Sequence, residues 1–145
     1  MSQGDLALVV RRTIAASPSR LFEAWTTPNQ LLAWWGPRGV RCTSAEVDPR
    51  PGGVYRIGNA LPEGETLYIV GEFIEVERPT RLVYTWSLES TPDEVELVTV
   101  RFEPREGATE VIVIHERISD LPKRDRHEHG WNGCLEGLAA LLDAE

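Results

Sequence analysis

Cysteine, lysine and long apolar runs are all scarce in this 145-residue chain, and each scarcity excludes something. The two cysteines, Cys42 and Cys134, stand 92 positions apart with no metal-ligand spacing around either, so neither a disulfide framework nor a bound metal is expected. No apolar stretch approaches the roughly 20 residues that a membrane helix needs. The opening residues MSQGDLALVVRR put an acid before a short apolar stretch and bases after it, the reverse of a secretory signal. Positive charge is also short: 15 Lys and Arg face 23 Asp and Glu, for a net charge of −8. The basic clusters Arg11-Arg12 and Lys123-Arg124-Asp125-Arg126 are too small to meet a phosphate backbone. Fourteen of the bases are arginine and only Lys123 is lysine, the bias of a GC-rich, bacterial genome. The expectation is a cytoplasmic protein whose partners include neither nucleic acid nor membrane.

What remains is an ordinary globular composition with five tryptophans in a short chain. A domain of this size can bury about 70% of its unfolded surface, so residues 1–145 are expected to form a single domain with no cofactor. Leu6 to Ile14 reads as a strand. Ser17-Pro18 and Thr27-Pro28 each open a short helix, the second with Gln30 completing a capping box, and Trp34-Trp35-Gly36-Pro37 ends it. The period then turns from helical to alternating. Strands are expected over Arg41–Val47, Val54–Gly58, Leu67–Glu77, Arg81–Leu88, Val95–Glu103 and Thr109–Arg117, with turn residues between them, which is the pattern of an antiparallel meander. A last helix from about Pro122 to Leu142 carries Trp131, Leu135, Leu138 and Leu142 on one face and is interrupted by Gly130, Gly133 and Gly137. A sheet curled around that helix would bury the stripe.

Alternation assigns faces. Val111, Val113 and His115 share one face of their strand, Val98, Val100 and Phe102 another, and Leu82, Tyr84 and Trp86 a third. On Leu67–Glu77, parity groups Tyr68, Val70, Glu72, Ile74 and Val76, although a bulge at Gly71 would flip that register. The expected pocket thus has Tyr68, Glu72, Trp86 and His115 on the sheet, with Tyr55 and Trp35 beside them. Trp131, Cys134, Leu135 and Leu138 face it from the helix. Apolar walls with a few convergent polar groups are the composition of a ligand site, and equally of a well-filled core.

These residues resemble the family of the heat-shock-protein-90 ATPase activator's C-terminal domain, within the START-like (SRPBCC, helix-grip) superfamily. The resemblance is carried by Val9–Thr13 with Pro18, Phe22 and Trp25, by Trp34-Trp35-Gly36-Pro37, and by Asp48 with Gly52-Gly53-x-Tyr55-Arg56. It continues through Gly71-Glu72-Phe73-x-Glu75-Val76, Pro79-x-Arg81-Leu82-Val83-Tyr84-Thr85-Trp86, His115 and Gly130-Trp131-x-x-x-Leu135-x-x-Leu138. It implies an α+β helix-grip fold: a seven-stranded curved antiparallel sheet around a long C-terminal helix, with two short helices after the first strand and a hydrophobic cavity inside. Members of the superfamily bind lipids, sterols, polyketides or hormones, and some catalyse cyclisation or dehydration. The eukaryotic co-chaperone has a further N-terminal domain for which 145 residues leave no room.

Three functions are therefore expected to compete. The first is binding of a small hydrophobic or aromatic molecule between sheet and helix. The second is a cyclase or dehydratase in which His115 acts as acid or base, which requires His115 to reach an open cavity with a free nitrogen. The third is a protein-interaction module, as a homodimer or a chaperone partner, which requires Trp34, Trp35 or Phe73 in an exposed patch. His127 and His129 point about 200° apart on a helix and are not expected to share a metal ion. His127 falls at the cavity mouth and His129 in solvent. Glu72 and His115 sit on strands three places apart, roughly 14 Å, too far to pair.

Overall fold

The computed structural model describes residues 4–36 and 39–143, so Pro37 lies outside the described residues. The chain order is β1 (Leu6–Ile14), α1 (Pro18–Thr26), α2 (Pro28–Trp34), β2 (Arg41–Val47), β3 (Val54–Ala60), β4 (Thr66–Glu77), β5 (Arg81–Leu88), β6 (Glu96–Arg105), β7 (Ala108–Ile118) and α3 (Leu121–Asp143). The seven strands form one antiparallel sheet in the order β1-β7-β6-β5-β4-β3-β2. β2 to β7 run as a meander, and β1 closes against β7. Because β1 and β2 occupy opposite edges, α1 and α2 must carry the chain across the whole sheet. This is the helix-grip α+β architecture. No helix among the described residues is long and apolar enough to cross a membrane.

Local chemistry sets the helix ends. Ser17 Oγ accepts from the Arg20 N–H at 3.1 Å and Pro18 takes the first helical position, where its missing N–H costs nothing. The capping box expected at Thr27 does not form. Thr27 makes no side-chain cap, and the Gln30 side chain instead accepts from Arg20 Nη1, which reaches across from α1. α3 is capped by Asp120, whose Oδ1 accepts from the Lys123 N–H at 2.8 Å. Its buried side chains begin at Trp131 and run through Cys134, Leu135, Leu138, Ala139 and Leu142, while nothing from Leu121 to Gly130 is buried.

The inward rows are as alternation predicts on β5, β6 and β7, and β4 is the exception. Ile69 pairs with Ile57 and Phe73 with Tyr84, so Ile69, Gly71 and Phe73 face the core. Tyr68, Val70 and Glu72 face outward. The register shifts between Phe73 and Glu75, one residue pair beyond Gly71, and this bulge restores Val76 to the inner face opposite Leu82. Parity counted back from Val76 is therefore wrong for Tyr68 and Glu72. Gly71 has a separate reason to be glycine. A Cβ there would stand 2.0 Å from the Thr85 carbonyl oxygen and 2.6 Å from the Tyr55 ring, which crosses Gly71 to donate its hydroxyl to Thr85 O at 2.6 Å.

α1 and α2 roof the sheet with rings. Trp25 stacks on Trp131 at 6.0 Å and tilts against Trp34 at 4.9 Å, and Trp35 meets Trp131 edge-on at 5.5 Å. Trp34 Nε1 donates to Ala24 O at 2.9 Å, and Trp25 Nε1 lies 3.4 Å from Tyr84 Oη, tying α1 to β5. α2 approaches α3 so closely that a Cβ on Gly137 would sit 2.6 Å from Trp34 O, whereas one on Gly130 would meet nothing within 4 Å.

The two helical glycines are therefore expected to respond in opposite directions. Gly137→Ala should destabilise the fold by about 1–3 kcal/mol, because backbone must move to admit the methyl. Gly130→Ala should stabilise it by up to about 1 kcal/mol through helix propensity. Urea unfolding of both variants tests this, and a stabilised Gly137→Ala would contradict the described contact.

Candidate ligand cavity and the histidine cluster beside it

Between the sheet and the roof lie two spaces of very different size. The one around Tyr55, Tyr84 and Phe73 has room for only about 20 Å³, roughly a single water. The second, about 240 Å³, lies under the first half of α3, where the helix buries no side chain to fill it. Its aromatic walls are Trp35, Trp86 and Trp131. Ile69 and Leu88 continue the sheet side, and Arg126, His127, Gly130 and Cys134 form the helix side. Val40, Asn59, Leu61 and Leu67 complete it from the β2–β4 end.

Of the residues expected to form the pocket, the structure brings Trp35, Trp86, Trp131 and Cys134 to this cavity. Tyr55 lines the small space instead. Leu135 and Leu138 are packed into the core at 1% and 0% exposure, deeper than the cavity. Tyr68 and Glu72 are on the far face of the sheet, where the Arg56 guanidinium stacks 3.7 Å above the Tyr68 ring and Glu72 is exposed. Cys134 is an unreactive thiol: burial pushes its pKa up to about 12.

His115 is fully buried and both of its nitrogens are engaged. Trp131 Nε1 donates to Nδ1 at 2.9 Å. An indole N–H can only donate, so Nδ1 carries no proton and the neutral ring holds its proton on Nε2. That proton points at Glu96 Oε1, 2.7 Å away. His115 thus has no free nitrogen for a substrate, and the acid–base role expected of it lacks its geometric requirement.

Glu96 is the residue that reading the strands missed. It is 2% exposed, two positions before Val98, on the inner face of β6. The parity that picks out Val98, Val100 and Phe102 extends to it by one step. His127 stacks on His115 at 4.3 Å and brings Nε2 to 2.9 Å from Glu96 Oε1, too oblique for a hydrogen bond, so that nitrogen is buried without one. Lys123 Nζ lies 3.4 Å from the other carboxylate oxygen. Burial acts to raise the Glu96 carboxyl, but the bond from His115, the approach of His127 and their charges hold it down at about 2. His115 is lowered, first by burial and partly offset by Glu96.

The ligating atoms of Glu96, His115 and His127 fall within 4.8 Å of one another, as a metal triad's would. A metal on His115 Nε2 would require the proton on Nδ1, where it would confront the Trp131 N–H. Histidines that bind metals donate their second N–H to an acceptor; this one accepts. The cluster fits a buried ionic network and not a metal.

Sequence comparison matches residues 15–143 to the family described as activator of Hsp90 ATPase homolog 1-like protein. Among solved structures, a Rhodobacter sphaeroides protein is 30% identical, with 99% of this chain and 95% of that one covered and a TM-score of 0.81. The AHSA1 protein from Silicibacter pomeroyi is 28% identical, with 96% and 99% covered and a TM-score of 0.85. An HSP90 activator from Plasmodium falciparum is 25% identical, with 95% and 96% covered and a TM-score of 0.75. No curated protein matches the chain.

The cluster makes stability depend on pH in a stated direction. The depressed Glu96 carboxyl contributes stability that is present above its unfolded pKa of about 4.3 and is lost as pH falls toward about 2. The lowered His115 contributes in the same sense, losing stability as pH falls below about 6.5. Glu96→Gln should therefore cost roughly 3 kcal/mol at neutral pH, and the difference from wild type should shrink between about pH 5 and 2. Urea titrations across that range check it; a difference that stays constant with pH would refute the assignment.

Proposed function

Because the chain belongs to the activator of Hsp90 ATPase homolog 1-like family, we propose that it binds a small hydrophobic or aromatic molecule in the cavity between the sheet and α3. The observation that carries this reading is the apolar space of about 240 Å³ walled by Trp35, Trp86 and Trp131. It falls just below the few hundred Å³ of drug-sized sites, which suits a ligand of one or two rings or a medium-length chain. Flat indole faces offer area for stacking at little entropic cost. We read the protein as a binder first, because His115, the histidine expected to act as acid or base, is bonded on both sides. The same reading keeps the chain as a single domain acting in the cytoplasm without a cofactor, in line with its one continuous core and its two unpaired thiols.

A second reading, contact with a chaperone of the Hsp90 type, is favoured by the family and by the Plasmodium falciparum relative. It loses the aromatic surface expected for it, since Trp34, Trp35 and Phe73 are buried at 3%, 7% and 4% exposure. An obligate homodimer loses the same patch.

Calorimetry and tryptophan emission against a panel of aromatic acids, alcohols and medium-chain lipids test the binding reading. Gly130→Phe projects a ring into the space where a Cβ meets nothing. It should lower affinity by at least about tenfold, about 1.4 kcal/mol, while the helix stays intact. Unchanged affinity in a folded Gly130→Phe would move the ligand out of this cavity. If no compound binds wild type and an Hsp90-type ATPase is stimulated, the second reading replaces the first.

A further inference from the structure

The cavity has an electrostatic polarity opposite to that of the protein. The chain as a whole has 23 acids against 15 bases, yet no Asp or Glu lines the cavity among the described residues. Its polar lining is Asn59, Arg126 and His127. Asn59 Nδ2 is directed at the carbonyls of Ile57 and Leu67, 3.4 Å from each, and His127 Nε2 is turned toward Glu96. That leaves Arg126 as the charged group on the cavity wall. Its guanidinium has no ion pair among the described residues, because Arg124 takes both neighbouring acids: Asp125 at 3.6 Å and Glu128 at 3.2 Å. The buried Glu96 does not cancel it, since that carboxylate faces Lys123 and the two imidazoles.

Resting on the ligand-binding reading above, we propose that the cavity selects amphipathic anions, with the apolar body among the tryptophans and a carboxylate held at the mouth by Arg126. An unpaired guanidinium at the rim of a low-dielectric space presents a fork of N–H donors that matches a carboxylate and meets no competing acid. The apolar walls supply affinity that is indifferent to charge. Arg126 supplies the preference between an acid and its neutral isostere, so it is a specificity determinant and not a support of the fold.

The test compares matched pairs on the full chain by calorimetry: octanoate with octanol, and phenylbutyrate with phenylbutanol. The acids should bind wild type about tenfold more tightly than the alcohols, a gap that narrows as added salt screens the pair. Arg126→Gln should collapse the gap. Arg12→Gln, the same charge change at an exposed position of β1, should preserve it. Equal binding of acid and alcohol by wild type, or a gap that survives Arg126→Gln, overturns the selection for anions and leaves the cavity reading standing. Absence of binding by either member of both pairs, with no effect of Gly130→Phe on any ligand found in the wider panel, overturns the cavity reading itself.

Discussion

The grip closes only where α3 has apolar side chains to close it. From Trp131 to Leu142 the helix presents a continuous stripe of buried side chains, and the sheet and roof pack against it. From Leu121 to Gly130 it has none, and the curved sheet cannot flatten to meet it because its strands are already committed to their neighbours. The cavity is the space left over. Its place, its size and the mixed character of its helical wall all follow from where along one helix the apolar residues stop.

An unpacked half-helix needs other restraints, and here they are polar. Asp120 caps it, Arg124 Nε donates to the Ala7 carbonyl of β1, and Lys123 bridges Glu94 and Glu96. The Glu96–His115–Trp131 chain then runs from β6 through β7 to the start of the apolar stripe. Each link is directional, so together they hold the helix at a fixed height above the sheet where hydrophobic packing would have drawn it down. A buried carboxylate is costly unless its neighbours satisfy it. Here one of those neighbours, His127, also lines the cavity.

How far the sequence alone reaches can be judged residue by residue. The order of elements and the inward rows of β5, β6 and β7 were legible, because alternation over a regular strand is unambiguous. On β4, parity alone puts Tyr68 and Glu72 on the wrong face; Gly71 hints at the bulge that flips them, but only pairing with β5 fixes its place between Phe73 and Glu75. Glu96 was overlooked as an isolated acid at the head of an apolar strand, although its parity pointed inward. His115 was found but its use was not, since the proton position depends on Trp131, a residue 16 positions away. Leu135 and Leu138 belong to the right stripe and the wrong depth: periodicity assigns a face of a helix but says nothing of which turn meets open space.

The separation along α3 also bears on how such proteins diversify. Residues that pack the core and residues that line the cavity occupy successive turns of one helix, with little overlap beyond Trp131 and Cys134. Drift at Arg126 can remodel the chemistry of the chamber while the hydrophobic anchor, Leu135 to Leu142, and the buried Glu96 network are left untouched. A scaffold partitioned in this way can acquire a new small-molecule repertoire by a handful of substitutions, without first acquiring a new core.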